Sequence, residues 1–308
     1  MIEISNLTKT LNKKNIISDF SFNARQKECL GLFGEGPDVK TMLLNLLSGS
    51  TQPTGGHINI NGINMQSHPH EARQVIGYQR YKDLNHPTMS VKAFLNYIAA
   101  IHGYCGAEKR DRVEQAVTRL ELYPTLNAPL DALCVYAKRK VSVAQAILHT
   151  PALLLLDEPT AGLAADQALL LKALIRSLTQ ETTIIIASRN SEELAEFCTR
   201  GLLIVGNRLV ADTPMLDLQR NSRHFQAVTL SADTPLDLLA LAVLPGVAGI
   251  EEHRHAPGTV TVLAMPGHAI YPHVHTLIAN RRWKINALNL EPGRMNDVVQ
   301  QLSQERPH

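Results

Sequence analysis

The sequence predicts an α/β fold built on a parallel sheet and followed by a small α+β domain. Three observations predict it. Lys27–Phe33 is an apolar strand that runs into a Gly-rich turn and then into a helical pattern from Lys40 to Leu47. Ala152–Leu156 and Thr183–Ala187 are continuous apolar runs of the kind that strands buried on both faces require, and Asp166–Leu178 between them reads as a crossover helix. The character of the chain then changes near residue 220, where polar Asn221–Arg223 precedes a new set of short elements. Strand–turn–helix units of this type hold ligands at the carboxyl ends of their strands.

Taken in order, residues 2–7 alternate as a strand would. Gly55-Gly56 punctuates the chain, and His57–Ile60 reads as one arm of a hairpin that turns at Asn61-Gly62. Residues 90–150 are mainly helical, with breaks at Gly103, Pro124 and Pro129. Beyond the boundary, Phe225–Leu230 and Thr259–Ala264 read as strands. Helices are expected near Pro235–Ala242, His268–Ala279 and Arg294–Leu302. The expected division is 1–217 for the α/β domain, with a helical subdomain over about 85–145, and 218–308 for the small domain.

Composition narrows the function classes. A chain of 308 residues with 44% hydrophobic and 19% charged residues is globular rather than disordered. A net charge of +2 is too weak for a nucleic-acid partner, which needs a concentrated basic face. The apolar runs, Leu238–Leu244 among them, fall short of the ~20 residues that span a bilayer. The N-terminus has no signal-peptide pattern. Any membrane association is therefore expected through a partner. The four cysteines, Cys29, Cys105, Cys134 and Cys198, show no CxxC and are expected to be free, buried thiols of a reducing compartment. The histidines between His253 and His275 lack metal-ligand spacing and read as solvated surface.

Two motifs carry chemistry. Gly34-Glu35-Gly36-Pro37-Asp38-Val39-Lys40-Thr41 follows a strand and opens a helix, the context of a phosphate-binding loop. In such a loop the backbone N–H groups curl around phosphates, the Lys reaches the β- and γ-phosphates, and the Thr hydroxyl helps hold Mg²⁺. Gly34, Lys40 and Thr41 stand in place. Val39 occupies the position of the second motif glycine, where a β-branched side chain would intrude on the phosphate, and Pro37 removes one N–H donor. The second motif is Leu153–Leu156 followed by Asp157-Glu158-Pro159-Thr160. An apolar strand ending in two carboxylates suits metal support by the first and polarisation of the attacking water by the second.

With Leu46-Leu47-Ser48-Gly49, Pro53-Thr54-Gly55-Gly56, Ile76-Gly77-Tyr78 and Gln145-Ala146-Ile147-Leu148-His149 in register, residues 1–217 resemble the ATP-binding-cassette (ABC) transporter ATPases. The likeness within the family is to subunits of gliding-motility, drug and copper-related exporters of the Gld and Nos type. The ending Leu290–Val298 is similar to the close of their C-terminal domain. The resemblance implies ATP and Mg²⁺ as ligands, with Gly34, Glu35, Gly36, Lys40 and Thr41 around the nucleotide. It implies Thr41 and Asp157 at the metal, and Glu158 as the catalytic carboxylate. It also implies a homodimer or a heterodimer with another ABC subunit, and polytopic membrane partners on the inner face of the cell membrane. Their coupling helices would meet the Val91–Gly103 region and the polar stretch Arg80–Thr88.

The resemblance also exposes departures. The adenine-stacking aromatic becomes Leu11, and the Gln or Glu near Mg²⁺ becomes Tyr81. The phosphate-binding signature becomes Cys134, Val135 and Tyr136, the interface Asp becomes Ala164, and the switch His becomes Arg189. Three readings follow: a non-catalytic ABC subunit with weak ATP binding, an active ATPase with atypical helper residues, or a nucleotide-free cytosolic interaction protein.

Overall fold

The computed structural model describes residues 1–34, 37–81, 88–253 and 256–304, with backbone only for Pro37, Ser303 and Gln304. The chain forms two compact units, Met1–Asp212 and Thr213–His308.

The first unit opens with β1 (Ile2–Leu11) and β2 (Lys14–Ala24), an antiparallel pair. They turn through Asn12 and Lys13, both at positive φ, as a two-residue type I′ hairpin demands. β3 (Cys29–Gly34) and α1 (Pro37–Leu47) follow. Then come β4 (Gly55–Ile60), β5 (Ile63–Asn64), α2 (Pro69–Gln74) and β6 (Ile76–Gln79). The Asn61-Gly62 turn joins β4 to β5 with φ of 51° and 82°, as the sequence indicated. Three helices follow: α3 (Val91–Ile101), α4 (Gly106–Arg119) and α5 (Val135–Ile147). The chain continues through β7 (Leu153–Asp157), α6 (Ala165–Leu178), β8 (Thr183–Ala187), α7 (Ser191–Phe197), β9 (Arg200–Val205) and β10 (Arg208–Pro214).

These strands make two sheets, a four-stranded one ordered β2-β1-β4-β5 and a six-stranded one ordered β10-β9-β3-β8-β7-β6. In the larger sheet β9, β3, β8, β7 and β6 pair in parallel. Every residue of β7 and β8 is buried, which explains why they read as unbroken apolar runs. One hydrophobic core joins both sheets through Leu7, Phe20, Leu44, Ile58, Leu155 and Ile185. Gly77 on β6 permits close packing against α5, since a Cβ there would lie 2.0 Å from the Ala146 carbonyl oxygen.

The second unit runs α8 (Met215–Arg220), β11 (Phe225–Ala232), α9 (Leu238–Ala242), β12 (Val247–Glu252), β13 (Thr259–Ala264), α10 (Tyr271–Arg281), β14 (Ile285–Pro292) and α11 (Met295–Gln304). Its sheet order is β12-β13-β11-β14, and the pairs β11·β13, β11·β14 and β12·β13 are antiparallel. With α9 and α10 as connections this is the β-α-β-β-α-β arrangement of ferredoxin-like domains. Its core is Val228, Leu230, Leu241, Val262, Ile270 and Val274. A buried His224 ties three parts of this unit together. Its Nδ1 meets Asp297 Oδ2 of α11 at 2.6 Å and its Nε2 meets Glu251 Oε2 of β12 at 2.8 Å.

Candidate functional site

The site forms where β3, β8 and β7 end side by side. Leu32 of β3 and Asp157 of β7 are both in register with Ala187 of β8. Parallel pairing thus brings to one place the end of β3 at Gly34, the loop after Asp157 and the loop after Ala187. Gly34 closes β3 at φ 115°. A side chain there would meet the Ile204 carbonyl oxygen at 1.7 Å, so the neighbouring strand β9 as well as the loop demands glycine. Glu35 and Gly36 lie outside the described residues.

Lys40 and Thr41 sit in the first turns of α1. The Lys40 ammonium is buried and donates to the Ser188 carbonyl at 2.8 Å and the Gly34 carbonyl at 3.2 Å. Burial pushes its pKa down, while Glu158 works against that fall and Arg189 adds to it. The Thr41 hydroxyl donates to Asp157 Oδ2 at 3.1 Å. Burial raises the Asp157 pKa, opposed by the Thr41 bond and by the charges of Lys40 and Arg139.

Glu158 follows at φ 50°, a left-handed conformation, with its N–H donating to the Ala187 carbonyl at 2.8 Å. Burial raises its pKa as well, opposed first by the backbone N–H of Arg189. A hydroxyl beside one carboxylate suits a divalent cation with oxygen ligands, so Thr41 and Asp157 fit Mg²⁺. Lys40 beside them fits a phosphate.

Val39 takes the place of the second motif glycine. It lies inside α1, without positive φ, and packs half-buried against the core. The helix starts at Pro37, three residues before Lys40. The cysteine expectation is corrected in part. Cys29 and Cys198 are buried, with sulfurs 3.6 Å apart, but Cys105 and Cys134 are exposed. Both exposed cysteines are N-cap residues, of α4 and α5, at the point where chain enters a helix from a surface loop.

The remaining departures fall as follows. Leu11 is exposed on the shoulder of the β1–β2 turn. Cys134 makes no side-chain cap to α5, and Val135 next to it is 48% exposed. Tyr136 is half-buried under the Lys140 ammonium, 5.2 Å from its ring. Ala164 is the N-cap of α6 and offers no side-chain acceptor. Among residues 80–88, Arg80, Tyr81 and Thr88 are exposed, and 82–87 lie outside the described residues.

Tyr81 and Arg189 come together, and a third residue that sequence reasoning missed joins them. Arg139 of α5 is buried. It donates to the Tyr81 carbonyl at 3.0 Å and the Ala161 carbonyl at 3.4 Å, and its guanidinium lies 5.3 Å from the Tyr81 ring. The Arg189 guanidinium lies 5.8 Å from the same ring, with its Nε 3.8 Å from Glu158 Oε1. Tyr81 also bonds to Asp157 through its backbone N–H.

The fold and these side chains define a phosphate-loop nucleotide cassette. Residues 17–161 match the family model described as ABC transporter. The chain is 31% identical over 245 residues to the Nod factor export ATP-binding protein I of Rhizobium etli, covering 78% of this chain and 76% of that one. To the protein of the same name from Ralstonia nicotianae it is 27% identical over 259 residues, 84% and 79% of the two chains. Among solved structures it is similar to an ATP-binding subunit of an ABC transporter, with a TM-score of 0.65 and 21% identity over 71% of this chain and 92% of that one. It is also similar to a dimeric bacterial ABC transporter cassette, with a TM-score of 0.62 and 20% identity over 70% and 99%. The chain belongs to the ABC transporter family, on the side of its ATP-binding subunits. Among the described residues no helix is long and apolar enough to cross a membrane.

Proposed function

We propose that this chain is the ATP-binding subunit of an export-type ABC transporter whose nucleotide site binds ATP weakly and hydrolyses it poorly. Weak binding follows from the apolar, exposed Leu11 in place of a stacking aromatic and from the proline in the phosphate loop. Export is favoured by the names of the Nod factor relatives and by the likeness to the Gld and Nos type. The observation that carries the impaired chemistry is the surroundings of Glu158. Its side-chain neighbour is the guanidinium of Arg189, which cannot pass a proton near neutral pH. Tyr81, which replaces a carboxamide near the metal, has its ring engaged by Arg139 and Arg189. At the opposite pole Cys134 and Val135 leave the start of α5 without the hydroxyl and glycine N–H groups that receive a phosphate across a dimer.

A membrane partner is supported by α3, where Phe94 and Leu95 pack inward while Tyr97 and Ile101 are 44% and 62% exposed. The second reading, an active ATPase, is favoured by one observation: Lys40, Thr41, Asp157 and Glu158 remain assembled. Nucleotide binding and turnover by the purified chain, with and without Mg²⁺, decide between them. ATP should bind about ten- to a hundred-fold more weakly than to an ordinary cassette, the worth of a lost stacking partner at ~1.4 kcal/mol per decade. Turnover should be negligible and unchanged by Glu158→Gln. Sub-micromolar ATP binding, or a robust rate that Glu158→Gln abolishes, would establish the active enzyme.

A further inference from the structure

The helical layer of the second unit differs in charge from the open side of its sheet. α9 and α10 cover one face of that sheet, packing on it through Leu241, Val274, Leu277 and Ile278. Carboxylates gather on the other face, where Glu291 accepts from Thr229 at 2.6 Å and Glu251 meets His224 at 2.8 Å. No aspartate or glutamate occurs between Glu252 and Glu291, so α10 carries none. It runs instead into Arg281, Arg282, Trp283 and Lys284. Two contacts hold this end beside the entry to α9: Arg281 pairs with Asp237 at 3.5 Å, and Asn286 Nδ2 donates to Asp233 Oδ1 at 2.7 Å. Arg282 and Lys284 are exposed, and among the described residues neither has a carboxylate within ion-pair distance. α9 itself is apolar on both sides. Leu238, Leu241 and Leu244 pack on the core, whereas Leu239 and Val243, one turn apart, are 80% and 79% exposed. A surface helix ordinarily turns polar residues outward.

We infer that the α9–α10 layer docks on an anionic lipid surface, with Leu239 and Val243 entering the boundary between headgroups and acyl chains and Arg282 and Lys284 meeting lipid phosphates. Apolar side chains projecting from a basic face are the means by which helices lie in a membrane interface. Arginine and lysine close to anionic lipid each add attraction, and salt screens it. Side chains as exposed as Leu239 and Val243 stand out as tips instead of lining a groove, which suits a fluid lipid surface better than a folded protein partner. Cations at the end of α10 also complement its helix dipole, but the dipole gives no reason for two bare apolar side chains on α9 beside them. The contact belongs to the chain itself. It needs neither nucleotide nor a membrane-spanning subunit, so it stands or falls apart from the function proposed above.

The test is co-sedimentation of the full chain with vesicles of phosphatidylcholine alone and with about one-third phosphatidylglycerol. Trp283 is the single tryptophan and packs half-buried against the core under this layer, so its fluorescence reports the same event when brominated lipids are used as quenchers. Binding should be at least about ten-fold stronger to the anionic vesicles, with Trp283 quenched. Leu239→Ser/Val243→Ser should weaken it about ten- to a hundred-fold and leave its salt dependence unchanged. Arg282→Gln/Lys284→Gln should weaken it about ten-fold and flatten the salt dependence. All four side chains are exposed, so these variants keep the fold. Arg223→Gln, which removes the partner of Glu251 on the carboxylate side, should change nothing. Equal binding to both kinds of vesicle, or binding that survives Leu239→Ser/Val243→Ser, would overturn the inference. So would tighter binding to a DNA duplex or an acidic peptide with Trp283 left unquenched by lipid, since the layer would then serve a different anionic partner.

Discussion

His149 is the group whose loss should change how the first unit responds to acid. It lies between α5 and β7, 7% exposed, with Nε2 donating to the Ile76 carbonyl at 3.0 Å and Nδ1 buried without a partner among the described residues. The His102 ring stacks on it at 4.1 Å. Burial pushes the His149 pKa down from 6.5 to about 4, and the charges of His102 and Arg112 push the same way. The folded value is the depressed one, so the unfolded chain takes up the proton first. The contribution of neutral His149 to stability is complete above pH 6.5 and is lost as pH falls toward 4. Each pH unit across that window removes up to about 1.36 kcal/mol, and the whole window about 3 kcal/mol. His149→Gln can keep a donor for Ile76 but cannot titrate, and it gives up the ring stacking, worth ~1 kcal/mol.

The assay is urea unfolding followed by far-UV circular dichroism, because the single tryptophan, Trp283, reports on the second unit instead. At pH 7.5 the variant should be less stable by about 1 kcal/mol. Between pH 6.5 and 4 the wild type should lose about 3 kcal/mol more than the variant, so the two curves cross. Parallel curves across that range would refute the argument, since they would mean that His149 titrates alike in the folded and unfolded chains.

The other predictions concern different sites. Ala164→Asp should supply the missing acceptor at the N-cap of α6 and stabilise the first unit by about 1 kcal/mol, measured by thermal melting; no change would mean that the turn cannot present the carboxylate. His224→Ala should leave Asp297 and Glu251 facing each other without the ring between them. It should cost the second unit about 3 kcal/mol, read from Trp283 fluorescence in urea, and an unshifted midpoint would mean that water replaces the imidazole. Lys40→Ala should leave co-purification with a membrane subunit intact, whereas Arg80→Glu should weaken it. The reverse pattern would make nucleotide the organiser of assembly.

The parts of the fold legible in the sequence were those whose burial is uniform. β7 and β8 are covered on both faces, so every residue but the terminal Asp157 and Thr183 is apolar and their limits are plain. The Asn61-Gly62 turn was legible because positive φ at both positions admits few other residues. β2 was not, because the left-handed Asp19 and the register shifts against β1 break its alternation. β12 and β14 are edge strands, half-covered and rich in polar residues, and they carry no strong period. At the site, Lys40, Thr41, Asp157 and Glu158 announced themselves because their spacing is chemical. Arg139 did not. Within Tyr136–Lys140 it looks like one of several solvated cations, and only the passage of the chain at Tyr81 and Ala161 buries it. Its burial depends on contacts 58 and 22 residues distant along the chain, which no local pattern reports.

The left-handed backbone at Glu158 bears on how such a protein can age. A side chain other than glycine, asparagine or aspartate in that region is disfavoured by roughly 1 kcal/mol or more. The position also buries a carboxylate beside another carboxylate. A sequence drifting without use for this acid has an easy exit in glycine, which would relax the backbone and remove the crowded charge together. Glu158→Gly is therefore a direction in which mutation alone would carry the chain downhill. An ancestor that had wholly retired this site could have become more stable by taking that step, and this chain still has glutamate there.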